Sequence, residues 1–93
     1  MTDAALKRRM DRAKEKARKD LSYKGFKIVH SNNRPVCLVA INRTEMGTDV
    51  RLIRICLEEI KPADRKALSD YSGLNREIWI RKEGSPGFVI HKF

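Results

Sequence analysis

The sequence predicts an α/β domain, with a mixed five-stranded sheet flanked by helices in the order αβββαββ. Three observations carry that reading. Residues 1–24 repeat apolar side chains at helical spacing, residues 25–57 hold three apolar stretches of strand length, and a short helical stretch after Pro62 precedes two more such stretches. At 93 residues the chain is one domain, 1–93, with a basic N-terminal helix over 1–24 and a sheet core with one helix over 25–93.

Along residues 4–21, Leu6, Met10, Ala13, Ala17 and Leu21 recur three or four residues apart, which places them on one helix face. Thr2 or Asp3 suits the cap, and Gly25 suits the stop. A strand is expected over 26–30, with Phe26 and Ile28 on one side. Ser31-Asn32-Asn33-Arg34-Pro35 reads as a loop, since Asn tolerates turn geometry and Pro forces its predecessor out of the helical region. Residues 36–41 are apolar throughout, as in a strand covered on both faces. A loop over 42–49 containing Gly47 leads by a hairpin into a strand over 50–57. On that strand Ile53, Ile55 and Leu57 share one face, and Leu52, Arg54 and Cys56 the other. Pro62 opens a helix through Tyr71, with Ala63, Ala67, Leu68 and Tyr71 expected inside. Strands over 77–81 and 88–91, separated by a turn at 83–87, complete the order.

Charge is the strongest compositional fact. The formal net charge is +9, and charged residues make up 35% of the chain. Residues 1–24 carry nine Lys and Arg against Asp3, Asp11, Glu15 and Asp20, or +5, which leaves +4 for the other 69 residues. A field of that sign concentrates polyanions, so DNA or RNA is the expected partner. Arg8, Arg12, Lys16 and Lys19 form a row on the first helix, with Arg9 and Lys14 beside it, and phosphate contacts of that kind give affinity without reading sequence. Asn32, Asn33 and Arg34 are added as candidate contacts from the neighbouring loop. No apolar run approaches the length of a membrane span and the N-terminus lacks an apolar leader, so no membrane partner and a cytoplasmic location are expected.

The residues from Gly25 to Leu57 carry a resemblance as well. Gly25-Phe26-Lys27-Ile28-Val29-His30-Ser31, then Pro35-Val36-Cys37-Leu38-Val39-Ala40-Ile41, then Val50-Arg51-Leu52-Ile53-Arg54-Ile55-Cys56-Leu57 follow one helix and precede another. This layout resembles the PD-(D/E)xK nuclease superfamily, particularly its archaeal Holliday-junction-resolvase branch, which implies a restriction-endonuclease-like fold. The family's strand Asp falls on Cys37, its Glu on Arg54 and its Lys on Cys56. Glu15 stands near the helix acid, and Ser31 keeps a family residue. Mg²⁺ needs hard oxygen donors, which thiols and a guanidinium do not supply. The expected function is therefore nucleic-acid binding on a nuclease-like fold, with no catalytic residues, no metal ligands and no cofactor. One alternative is a Mg²⁺-dependent endonuclease whose acids have moved to Glu45, Asp49, Glu58 or Glu59. Another is a protein-interaction or assembly module for an acidic partner.

Three further groups carry expectations. Arg54 interrupts an apolar strand, so it either contacts a phosphate or forms an internal ion pair with Glu15 or Glu77. Cys37 and Cys56 are read as buried thiols filling the former active-site region, with His30 and His91 too far apart in sequence to suggest a zinc site. Of the six aromatic residues, Trp79, Tyr71 and Tyr23 are the candidates to stack on unpaired bases. Phe88, Ile90 and Phe93, with an outward face of the Trp79 strand, are the candidates for a homodimer contact.

Overall fold

In the computed structural model, which describes residues 3–31 and 36–93, the chain forms α1 (Asp3–Tyr23), β1 (Lys27–Ser31), β2 (Leu38–Thr44), β3 (Gly47–Leu57), α2 (Pro62–Ser69), β4 (Asn75–Arg81) and β5 (Phe88–Lys92). Thr2 and residues 32–35 lie outside the described residues, and Asp3 stands in the first turn of α1. The expected element order holds.

Helix α1 ends in a Schellman motif. The Phe26 amide donates to the Leu21 carbonyl at 2.9 Å, the Gly25 amide donates to Ser22 at 3.0 Å, and Gly25 takes φ +88°. Only glycine enters that region without a Cβ penalty. Leu21 and Phe26 are both buried in one cluster, so the motif also aims the chain back under the helix and into β1.

The sheet runs β1-β2-β3-β4-β5, antiparallel throughout except for the parallel pair β3 and β4. That pair requires a crossover, which α2 provides. Alternation along β3 divides the core: Ile53 and Ile55 pack with Ala13, Ala17 and Leu21 of α1, while Leu52 and Cys56 pack with Leu68 of α2. One helix thus covers each face.

Three expectations change in the structure. The β2–β3 loop shrinks to Glu45 and Met46, because the outer hairpin pairs Thr44 with Gly47 in solvent, where strands need no apolar side chains. The Thr44 hydroxyl helps to close it, accepting the Met46 amide at 3.2 Å. Strand β4 has no outward apolar face: Ile78, Trp79 and Ile80 are all buried, as a strand with a helix on each side requires. On α2, Ala63 is exposed and Asp64 is buried in its place, because Asp64 caps the helix and neutralises Arg54.

Candidate functional site

The buried stripe of α1 fixes what the helix shows to solvent. At 100° per residue, Arg8, Arg12, Lys16 and Lys19 fall on the side away from Ala13, Ala17 and Leu21. Arg8, Arg12 and Lys19 are exposed and form no ion pair among the described residues. Lys16 reaches Asp20 at 3.5 Å, one turn on. Arg9 sits at the flank of this row, where its guanidinium bonds the Glu58 carboxylate.

A cleft of about 370 Å³ continues the row across the molecule, lined by Arg9, Arg12 and Lys16 from α1 and by Arg81, Lys82 and Glu83 from the end of β4 and the turn after it. Glu58 bridges two of the residues that line it, Arg9 and Glu83. Glu58 holds φ +69°, and its carboxylate accepts both Arg9 and the Glu83 amide, the latter at 3.1 Å. Those bonds, with Arg9 the larger influence, hold the Glu58 carboxyl below its ordinary pKa. The latch ties α1 to the β4–β5 turn and sets the width of the basic cleft. Sequence reading missed Arg81 and Lys82, whose place beside α1 emerges only when the parallel β3–β4 pair carries them there.

A second cleft, of about 430 Å³, opens on the other flank of α1. Cys37, Arg54 and Cys56 all line it, together with Leu6, Lys7, Met10, Glu59, Lys61 and Asp64. Its polar centre is an ion pair in which Arg54 Nε donates to Asp64 Oδ1 at 3.0 Å, the side chains being 18% and 9% exposed. The other carboxylate oxygen of Asp64 accepts the Lys61 amide at 2.9 Å, closing the start of α2. Arg54 is therefore held by Asp64, and by neither Glu15 nor Glu77. Glu15 is exposed on α1, and Glu77 is buried against Arg51, at 3.5 Å, and Trp79, whose Nε1 donates to it at 2.9 Å.

The thiols do separate jobs. Cys37 Sγ accepts the Ile55 amide at 3.3 Å, so its sulfur extends the ladder from β2 to β3 where the backbone pairing stops. Cys56 points to the α2 side, where burial first, and the Asp64 charge second, push its thiol up to about 11. A thiol so protonated is a poor nucleophile at neutral pH. Of the four acids named as possible displaced ligands, Glu45 is exposed in the hairpin turn, Asp49 pairs with Arg51 at 3.2 Å and Glu58 pairs with Arg9, while Glu59 lines the second cleft.

The aromatic candidates separate cleanly. Trp79 is 1% exposed and Tyr71 packs in the α2-side cluster, whereas Tyr23 is 93% exposed at the end of α1. Phe88 lies against Trp79 with ring centroids 5.2 Å apart, and the Arg76 guanidinium covers Phe93 at 4.3 Å. Asn32, Asn33 and Arg34 lie outside the described residues. No protein-family model, no curated protein and no solved structure matches this chain.

Proposed function

We propose that this protein binds nucleic acid, mainly through phosphate contacts from the outer face of α1, on a nuclease-like scaffold that does not use metal-dependent catalysis. One observation carries the reading: Arg8, Arg12, Lys16 and Lys19 stand opposite the buried stripe of α1 and run on to Arg81 and Lys82 across a shared cleft. Arg12, Lys16, Arg81 and Lys82 in one cleft, with Arg8 and Lys19 beside them on the outer face of α1, suit a polyanion on a protein of net charge +9. The helix-sheet-helix layering and the mixed sheet support kinship with the PD-(D/E)xK nucleases as part of the same proposal.

An active nuclease is the second reading, and the cleft that holds Glu59 and Asp64 favours it. Against it stands the chemistry of that cleft. Both Asp64 oxygens already accept hydrogen bonds, and the Arg54 guanidinium occupies the space a divalent cation would need, repelling it.

Titrating duplex DNA binding against salt tests the proposal. With four to six phosphates neutralised, log K should fall against log[salt] with a slope of about −4 to −5. A slope near zero would point instead to an acidic protein as the partner. Incubation with branched and linear DNA in Mg²⁺ or Mn²⁺ should leave both intact; cleavage that disappears in Asp64→Asn would establish the nuclease reading.

A further inference from the structure

We propose that the ligand is a strand with unpaired bases, and that Tyr23 is the platform on which one of those bases stacks; this rests on the nucleic-acid reading above. Tyr23 continues the cationic row. It follows Lys19 by one turn, and the helical period puts it between Arg12 and Lys16 in azimuth, on the same side of α1. From Arg8 to Tyr23 the row spans about 22 Å, with cations repeating roughly every 6 Å along the axis. That length gives the backbone of one strand a continuous path from the row to the Tyr23 ring.

Among the described residues, the ring belongs to neither core cluster. Tyr23 is 93% exposed, while the other aromatic candidates are taken up by the core. It stands between two surface clefts of different character. One, toward the row, is lined by Arg12, Lys16 and Lys19 together with Glu15; the other, of about 320 Å³, is floored by Trp79, Phe88 and Ile90, with Ile90 38% exposed. Phosphates fit the first and a base fits the second. The Lys24 ammonium lies 5.4 Å from the Trp79 ring at the mouth of the apolar cleft, where it balances a backbone phosphate entering the turn. Asp20 borders both clefts and is paired with Lys16.

Fluorescence anisotropy on the full chain, with a labelled oligonucleotide as a single strand and as the matching duplex, tests this. Tyr23→Ala should weaken single-strand binding roughly five- to 150-fold and duplex binding by less than about twofold, because stacking acts only on an exposed base. Tyr23→Phe should restore single-strand binding, since the ring and not the hydroxyl does the stacking. An exposed side chain leaves the fold indifferent, which an unchanged melting curve verifies. Equal binding by wild type and Tyr23→Ala, or equal losses on strand and duplex, overturns the stacking role while the phosphate reading stands. Failure of wild type to bind either form at any salt overturns both.

Discussion

Arg54 and Asp64 decide the character of the second cleft. Each is a charge largely withdrawn from water, and each offsets the cost of burying the other. Asp64 has a second duty at the start of α2, through the Lys61 amide. Replacing Arg54 by Met therefore leaves a buried carboxylate without its counterion, and should destabilise the protein by about 2–4 kcal/mol. Combining Arg54→Met with Asp64→Asn removes the orphaned charge but keeps an oxygen for the Lys61 amide. The double variant should recover more than half of the loss. Urea denaturation of the wild type, both single variants and the double gives the coupling directly; additive losses would show that the pair does not act as a unit. Arg54→Ala alone is then a poor probe of nucleic-acid contact, because a drop in affinity would mix with a drop in stability.

At the scale of elements, α1 could be read from the chain almost whole. The spacing of Leu6, Met10, Ala13, Ala17 and Leu21 fixes its inner face, and Gly25 its stop. The parallel pairing of β3 with β4 follows from the helix between them. What could not be read was which charges meet. Arg9 and Glu58 are 49 residues apart, and nothing local distinguishes Asp64 from Glu15 or Glu77 as the partner of Arg54. Asp64 did have a local signature, an acid three residues after Lys61 with Pro62 between, but that pattern announces a cap and says nothing of a strand partner. Strand β4 was ambiguous because its apolar run, Ile78-Trp79-Ile80, is only three residues long, too short to separate a strand covered on both faces from one with a solvent side. The inner face of α1 dictates the outer one, so the cationic row can be tested as an element. Reversing Arg12 and Lys19 to Glu should cut affinity at least tenfold in low salt and flatten the salt slope by about 2, roughly 0.9 for each lost phosphate contact. Arg18→Glu, on the opposite flank, should leave the slope nearly unchanged. Equal slopes for the two variants would mean that the row is not where phosphates bind.

For the whole molecule, the charge that recruits a polyanion works against the fold. A net +9 on a body of 46 × 28 × 20 Å repels itself, and residues 1–24, with +5 of it, are held to the sheet by the α1 core stripe and the Arg9–Glu58 latch. Salt should consequently have opposite effects on the free and bound protein. Raising NaCl from about 50 to 500 mM, which shortens the Debye length from above 10 Å to about 4 Å, screens the repulsion and should raise the melting temperature of the free protein. Each kcal/mol of repulsion relieved is worth about 4–8 °C in a domain of this size. Saturating nucleic acid at low salt should raise it further, because a ligand that binds only the folded state stabilises it by mass action. That second gain should vanish in 500 mM NaCl, where the phosphate contacts are lost. Differential scanning fluorimetry across a grid of salt and oligonucleotide concentrations reads both trends at once. A free protein that melts lower in high salt would mean that its ion pairs, chiefly Arg9–Glu58 and Arg51 with Glu77, outweigh the self-repulsion, and that the basic surface is balanced internally instead of being held ready for an anionic partner.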